Sequence, residues 1–299
     1  MISRVVSVST GKLYGLSKVC RVWGIARSSV YHERQTVEKA GLRQRPGPLG
    51  PCTDETLVNK IREVIAESPF HGEGYRKIWA KLRFRGIRTS KRRVLRLMRK
   101  HGLLAPYRTG SPHGPKAHDG TIITRQVDEV WGTDMTLGWT TDEGQAAIFI
   151  AVDHCSFECI GIHASKRTTR FEALEPIRQG VRTCFGAYAE KVADGLKLRH
   201  DHGSQYMSDA FQEEISFLGI ESSPAFVREP QGNGCAERFV RLLKENLLWV
   251  KTFATIEELR QALLHFKDAY NAYWILERHG YKTPFQIREE QLSFLSVPV

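Results

Sequence analysis

The chain has 299 residues, of which 41% are hydrophobic and 26% are charged, a composition typical of a globular protein with roughly two domains. No run approaches the ~20 apolar residues that cross a bilayer, and the first residues lack the apolar segment of a secretion signal. We therefore expect a cytoplasmic protein with no membrane partner. The net charge is +11, and the segment from Gly74 to Arg108 contains 13 Lys or Arg and no acidic residue. This basic block favours a polyanion partner, although a solvated basic face would have the same composition.

The first part of the chain predicts helices joined by short turns. Residues 19–34 have the outline of a helix-turn-helix, with Gly24 supplying the turn and Ile25 filling the core. Three prolines and three glycines predict a linker over residues 36–53. We therefore predict a small helix-turn-helix-like module over residues 1–35.

A second, strongly basic helical module is predicted for residues 54–108. Thr89 or Ser90 can cap its third helix, and Gly102 can end it. The apolar stripe of that helix comprises Val94, Leu97 and Met98. Its other positions, apart from Leu95, are cationic, which suits a helix that lies on phosphates. The candidate DNA-binding residues of this module are Arg76, Lys77, Lys91, Arg92, Arg93 and Arg96.

After a second predicted linker over residues 109–124, the pattern changes to strands and then to alternating elements. The predicted strands are Val130–Trp139, Ala146–Asp153, Phe157–Ala164, Leu196–Asp201 and Ile220–Ala225. The predicted helices are Arg170–Ala189, Ser208–Leu218, Gly234–Val250 and one that begins with the capping box Thr255–Glu258. This order predicts an α/β core over residues 125–290, with a mixed five-stranded sheet covered by helices, and a tail over residues 291–299.

Three carboxylates of the predicted core stand where metal chemistry would need them. Asp134 lies inside a strand, where a carboxylate is costly unless a charged group pairs with it. Asp201 ends another strand, and Glu237 lies in the first turns of a helix. Such hard oxygen ligands suit two Mg²⁺ ions, which can activate an attacking oxygen and stabilise a leaving one in phosphodiester displacement. Spacing alone is weak support, because the chain has 33 carboxylates.

Further candidate DNA contacts lie at and after the start of the helix that carries Glu237. Arg241 and Lys244 share a helix face with Glu237, so this face could hold a metal ion and grip DNA. A solvated, salt-bridged helix face explains the two cations equally well. Asn233 and its flanking glycines are interpreted as a mobile loop near the DNA, and a simple helix-entry turn is the alternative.

These motifs resemble those of the DDE transposases of the insertion-sequence-three group, OrfB type, in the retroviral-integrase-like superfamily. The matching stretches are Gly74–Ile78, Trp131–Asp134, Asp201–Tyr206, Gly232–Glu237, Tyr270–Asn271 and Gly280–Pro284. Thirty-five residues separate Asp201 from Glu237, the spacing that defines the family's signature, and Lys244 stands at the family's basic position. The resemblance covers about residues 55–290.

The resemblance implies an RNase H-like core in which Asp134, Asp201 and Glu237 bind two Mg²⁺ ions, with Mn²⁺ as a substitute. It implies a transposase that frees a 3′-hydroxyl at the end of an insertion sequence and then joins it to a second phosphodiester. The implied partners are element-end and target DNA, further copies of the chain on that DNA, and a companion DNA-binding protein joined by ribosomal frameshifting. The implied setting is the bacterial cytoplasm, in association with the nucleoid.

Two other functions stay open at this point. A domesticated DNA-binding protein that has lost catalysis would keep the basic module, although all three acids are present here. A nuclease that hydrolyses DNA without joining it would share the same core chemistry. His200, directly before the second Asp, is interpreted as a structural neighbour rather than a proton shuttle.

Overall fold

The chain divides into two compact units, residues 1–50 and 51–299. The computed structural model describes residues 5–38, 52–106, 124–224 and 233–295. The greater part of both predicted linkers therefore lies outside the described residues, as do Gly232 and the last four positions of the predicted tail. The predicted linker does not begin at residue 36, because a helix continues to Glu38, and the predicted tail is helical as far as Leu295.

The first unit contains two short helices, α1 (Gly15–Val22) and α2 (Arg27–Glu38). Gly24 has a φ of +64° between them, so the predicted turn is present. The prediction that Ile25 fills a core is wrong, since this side chain is 45% exposed. Among the described residues of this unit, Cys20 is the buried apolar side chain. Two short helices offer too little surface to enclose a larger core.

The second unit begins with three helices, α3 (Asp54–Ala66), α4 (Tyr75–Phe84) and α5 (Lys91–Lys100). The hydroxyl of Ser90 accepts a hydrogen bond from the backbone N–H of Arg93, which confirms the predicted cap of α5. The buried core of these helices comprises Leu57, Val58, Ile61, Val64, Ile78, Leu82, Val94, Leu97 and Met98. The predicted apolar stripe of α5 therefore faces inward, and its cations lie on the other side.

A mixed five-stranded sheet follows, as predicted. Its strands are β1 (Val130–Thr140), β2 (Gly144–Asp153), β3 (Cys159–Ser165), β4 (Lys197–His200) and β5 (Glu221–Pro224). The strand order is β3-β2-β1-β4-β5. Strands β1, β2 and β3 form the predicted antiparallel meander, and β4 and β5 run parallel to β1. Because β4 pairs with the first residues of β1, the chain that follows β4 lies beside the middle of β1.

Helices cover both faces of this sheet. They are α6 (Arg170–Phe185), α7 (Asp209–Phe217), α8 (Gly234–Leu243), α9 (Ile256–Tyr273) and α10 (Pro284–Leu295). One face packs mainly against α6 and α7, and the other packs against α8 and α9. The predicted helix over Gly234–Val250 is divided, because α8 continues as a π-helical turn over Lys244–Leu248. No helix among the described residues has the length and apolarity needed to span a membrane.

The three basic helices dock on the sheet region through a small set of contacts. The ring of Phe70 lies edge-on to Trp274, with centroids 5.0 Å apart. The backbone N–H of His71 donates to Oδ1 of Asn246 over 2.7 Å. Trp79 and Tyr281 form a further edge contact at 5.8 Å. The basic helices and the sheet region therefore pack as parts of one compact unit.

Candidate active site

The first two carboxylates of the site belong to neighbouring strands, Asp134 inside β1 and Asp201 directly after the end of β4. In the parallel pairing of β1 with β4, Gly132 stands opposite Arg199. Continuing this register by two residues puts Asp134 opposite Asp201, directly after the end of β4. Because side chains alternate along a strand, both carboxylates belong to the same face of the sheet as Gly132 and Arg199. The sheet topology thus brings together two acids that are 67 positions apart in the sequence.

The third carboxylate, Glu237, lies on α8, which packs over the same face of the sheet. This helix packs against the sheet through buried Ala236 and Phe239. Its N-cap residue, Asn233, donates from Nδ2 to the carbonyl oxygen of Thr133 over 2.8 Å. Since Thr133 precedes Asp134, the first turn of α8 is attached beside that carboxylate. Glu237 lies one turn further along the helix.

The electrostatics of Asp134 reflect both its burial and its neighbours. Burial raises the pKa of Asp134 to about 6, and the negative charges of Asp201 and Glu237 also raise it. The N–H of Met135, which donates to Oδ1 of Asp134 over 2.8 Å, and the charge of Lys244 act in the opposite direction. Burial also raises the pKa of Glu237. Asp134 is therefore the acid whose ionisation is opposed both by burial and by the charges of the other two carboxylates.

This donor set suits divalent cations chemically. All three ligand groups are hard carboxylate oxygens, and a bound cation would relieve their repulsion and the burial cost at Asp134. In the part of the chain that the structure describes, no three His, Cys, Asp or Glu side chains are already closed around a point that could hold one metal ion. The fit of these residues to a divalent cation therefore rests on the chemistry of their oxygen donors.

His200 lies beside the second acid but is a structural residue. It is fully buried, with Nε2 at 2.9 Å from the hydroxyl of Ser222 and Nδ1 at 2.7 Å from the carbonyl oxygen of Asp201. Its ring packs against Tyr206 and Phe211. Burial lowers its pKa. These contacts support the interpretation of His200 as a neighbour that shapes the end of β4.

Comparison with known families agrees with this architecture. A family model described as an HTH-like domain matches residues 53–110. Two models described as integrase core domains match residues 124–230 and 218–284, which together span more than half of the chain. The chain belongs to the integrase-core transposases of the insertion-sequence-three group. The helix-turn-helix match falls on the basic helices α3–α5 rather than on residues 1–35.

Curated relatives match over nearly the whole length. Transposase InsD for insertion element IS2A/D/F/H/I/K of Escherichia coli is 26% identical over 298 residues, which covers 95% of this chain and 94% of the relative. Transposase InsD for insertion element IS2-9 of E. coli strain K12 is also 26% identical and is covered over 92% of its length.

Solved structures that resemble this transposase include two retroviral integrase cores. The catalytic core domain of BIV integrase is 21% identical, with 57% of this chain and 99% of that chain covered and a TM-score of 0.42. The HTLV-2 integrase catalytic core domain in complex with magnesium is 20% identical, with coverages of 55% and 97% and a TM-score of 0.41.

The predicted phosphate-binding face of the transposase is partly occupied by an intramolecular acid. Arg92 lies on the exposed side of α5, beside a groove formed with Leu95 and Arg99. Arg93 donates to Asp54 and to the carbonyl oxygen of Cys52, and its side chain is only 20% exposed. Arg96 also pairs with Asp54 but stays 43% exposed. The face therefore offers Arg92 and Arg96 to a ligand more readily than Arg93.

Three predicted DNA-binding residues of the helical module contact the sheet region. The ammonium group of Lys77 is buried over the ring of Trp274, 2.7 Å from its centroid. Arg76 pairs with Glu277 at 3.1 Å, and Lys91 approaches the same carboxylate at 3.7 Å. The structure thus contradicts Lys77 as a surface contact, because the ring and its surroundings exclude a phosphate from the ammonium group.

The predicted contacts near Glu237 also differ from one another. Arg241 is exposed and pairs with Glu245 at 3.1 Å. Lys244, at the start of the π-helical turn, is close enough to lower the pKa of Asp134. Asn233 is only 7% exposed, so the prediction of a loop side chain facing DNA is wrong in this structure. Its amide is directed inward because a backbone carbonyl of β1 accepts its N–H.

Sequence reasoning missed two residues that shape this site. Gly132 is buried beneath Asn233, and His154, after the end of β2, is buried beside it. Burial lowers the pKa of His154 to about 4, and the charges of Arg199 and Arg278 add to this effect. The glycine two positions before Asp134 was the available signal, because a strand interior disfavours glycine without a packing reason. His154 had no comparable signal.

Proposed function

We propose that this transposase cleaves DNA at the ends of an insertion sequence and transfers the freed strand to target DNA, using Asp134, Asp201 and Glu237 to hold two Mg²⁺ ions, for which Mn²⁺ can substitute. The observation that carries the proposal is the parallel register of β1 and β4. It pairs Val130–Gly132 with Lys197–Arg199, and this register, continued by two residues, supports a position for Asp201 beside Asp134, whose pKa its charge raises. The attachment of α8 to Thr133 supports a position for Glu237 near the same two acids. The magnesium in the HTLV-2 integrase core is consistent with this assignment.

The chemistry is two displacements at phosphorus. In the first, water attacks the phosphodiester at the element end, so that one P–O bond forms and another breaks to free a 3′-hydroxyl. In the second, this hydroxyl attacks a target phosphodiester, and the leaving group is the target's own 3′ oxygen. Bound divalent cations would activate the attacking oxygen and stabilise the leaving one. The protein's carboxylates position the reacting groups and form no covalent bond to DNA.

Ionised carboxylates are needed for this function, so the raised pKa of Asp134 matters for the site. At pH 7 a group with a pKa of about 6 is mainly ionised. Its ionised form is destabilised by burial and by the neighbouring negative charges, and a bound cation would stabilise it. Lys244 adds a positive charge at the same place. This combination favours a cation and the DNA phosphate that accompanies it.

The basic helices over residues 54–108 supply the proposed DNA-binding domain, and the core over residues 125–290 supplies catalysis. The exposed cations of α5 would contact backbone phosphates of the element end, with Arg92 and Arg96 as the primary contacts. Because two element ends must be processed together, we propose that copies of the chain assemble on DNA. A frameshift-fused companion protein would add further DNA contacts.

Cleavage and joining of oligonucleotides that carry the element's ends test the proposal. We expect Asp134→Asn and Glu237→Gln to reduce both products to background in Mg²⁺ and in Mn²⁺, while DNA affinity is retained. Glu213→Gln, which changes an exposed carboxylate on α7, is the matched control and should behave as wild type. Full activity in either site variant would refute this triad.

The same assay separates the alternatives. Tight binding of the ends by the wild-type protein, with no nicking under any divalent ion, would identify a catalytically silent DNA-binding protein. Cleavage without any joined product would identify a nuclease.

A further inference from the structure

Asn233 occupies an interior position at the start of α8. It is 7% exposed, and its Nδ2 donates to the carbonyl oxygen of Thr133 over 2.8 Å. Although it is the N-cap residue of α8, its side chain makes no hydrogen bond to the helix's own N–H groups. Asparagine at an N-cap ordinarily makes such a bond. Here the side chain instead forms a hydrogen bond that links α8 to the central strand, β1.

The two ends of this hydrogen bond adjoin two of the three site carboxylates. On the strand side, the acceptor belongs to the residue directly before Asp134. On the helix side, Glu237 lies four residues after Asn233, which is about one turn. Asn233 therefore attaches the element that carries Glu237 to the element that carries Asp134. A second, weaker attachment is made by Cys235, whose Sγ lies 3.8 Å from the carbonyl oxygen of Asp153.

Two neighbours shape the place that holds the Asn233 side chain. A Cβ atom added to Gly132 would lie 2.6 Å from Oδ1 of Asn233 and 2.7 Å from Nε2 of His154. Real Cβ atoms do not approach other atoms so closely, so any larger residue at position 132 would displace one or both side chains. Glycine at this position therefore leaves the space that the side chains of Asn233 and His154 occupy.

From these contacts we propose that Asn233 is a positioning residue of the transposase, which sets the separation of Asp134 and Glu237 through its hydrogen bond to Thr133 in the space left by Gly132. The proposal rests on the proposed function, because it concerns the same metal-binding carboxylates. Groups that orient metal ligands without touching the metal commonly change metal affinity by about 10–100-fold when removed. Asn233 would act in this way through the backbone of β1.

The test compares Asn233→Ala with Asn246→Ala. Asn246 is a matched control, since it is also buried, lies on the same helical segment and is hydrogen-bonded through both side-chain ends. Mn²⁺ binding to the DNA-free protein is measured by electron paramagnetic resonance, and affinity for an end oligonucleotide is measured by fluorescence anisotropy. We expect Asn233→Ala to weaken Mn²⁺ binding about tenfold or more and to leave DNA affinity within about twofold. Asn246→Ala should leave Mn²⁺ binding unchanged at a temperature where it is folded.

A second pair of variants keeps the test informative if Asn233→Ala does not fold. Gly132→Ala should weaken Mn²⁺ binding in the same way, because its methyl group displaces the Asn233 side chain. Gly234→Ala adds the same methyl group one residue after Asn233, where nothing lies within 4 Å, and should have no effect. The double variant Gly132→Ala/Asn233→Ala should bind Mn²⁺ no more weakly than Asn233→Ala, since both changes remove one interaction.

Several results would overturn the proposal. A loss of DNA affinity with unchanged Mn²⁺ binding in Asn233→Ala would make this residue a DNA contact. Equal effects of Asn233→Ala and Asn246→Ala on Mn²⁺ binding would show a general structural role. Absence of DNA cleavage by the wild-type protein would refute the proposed function alone, because the Mn²⁺ measurements on DNA-free protein still decide the role of Asn233.

Discussion

The basic face of α5 and the ionic groups around the sheet hold their charges in contrasting ways. On α5, Arg92, Arg99 and Lys100 are exposed to solvent. Around the sheet, Arg288 is only 8% exposed, and its guanidinium donates to Asp128 over 2.7 and 2.9 Å and also to Glu158. The charges on α5 are therefore available to a ligand, whereas the charge of Arg288 is already paired inside the fold.

The difference follows from solvation. An exposed charge costs little in the unbound protein and can exchange water for phosphate, so it suits binding. A buried charge has lost its water and must keep its partner, so it suits positioning. Asp134 is largely buried, and the charges of Asp201 and Glu237 raise its pKa further. The N–H of Met135 and the charge of Lys244 compensate it only in part. A bound cation would supply the compensating charge that Asp134 has only in part from Lys244.

Substitution of Arg288 should have the largest effect and would most directly break the contrast. Arg288→Met would leave the carboxylates of Asp128 and Glu158 buried without their partner. We expect a loss of about 3–5 kcal/mol in the free energy of unfolding, measured by urea denaturation. Arg92→Met, the same change on the exposed face of α5, should alter it by less than about 0.5 kcal/mol. Similar losses of unfolding free energy in both variants would show that the buried Arg288 and the exposed Arg92 contribute equally to stability.

His154 should produce the next largest effect, through pH. Its folded-state pKa of about 4 lies below the ordinary value of 6.5, so folding favours the neutral ring. The stability it contributes is complete above pH 6.5 and is lost as the pH falls from 6.5 towards 4. Between pH 7 and pH 4.5, wild type should lose about 2–3 kcal/mol more unfolding free energy than His154→Gln. Parallel pH profiles for the two proteins would show that the ring is not held neutral.

Substitutions on the exposed face of α5 should change stability least. They should nevertheless change the affinity for DNA. Arg92→Gln should lower affinity for end DNA and reduce the slope of log affinity against log salt by about 0.9, the value for one phosphate contact. Arg93→Gln should leave that slope nearly unchanged, because Arg93 already donates to Asp54 and Cys52. Equal slopes for wild type and Arg92→Gln would remove α5 as a phosphate-binding surface.

Much of the core could be predicted from local pattern. The strand Val130–Trp139 was predicted within one residue of β1, and the apolar stripe of α5 was predicted correctly. Both have a periodicity that requires one particular buried face, so the sequence specifies them strongly. Helix ends were less accurate: α6 ends at Phe185 rather than Ala189, since Gly186 adopts a left-handed conformation there.

The contacts of individual side chains were harder to predict than the helices and strands. Lys77 and Asn233 were predicted to bind DNA, but the ammonium group of Lys77 is buried over Trp274 and the side chain of Asn233 is buried against β1. Their partners, Trp274 and Thr133, lie 197 and 100 positions away in the sequence. Local pattern indicates that a lysine or an asparagine is present on a turn or helix, but it contains no information about which distant group will face it.

The sequence by itself determined the family and the order of elements, because motif spacing and hydrophobic periodicity are properties of short stretches of chain. It also supplied the prediction of the three acids. Only the tertiary structure decided which cations face solvent and whether Asn233 is buried. It also decided how little space is left for a side chain at position 132. Those outcomes depend on contacts between distant segments, whose energies exist only when the sheet and its helices are assembled.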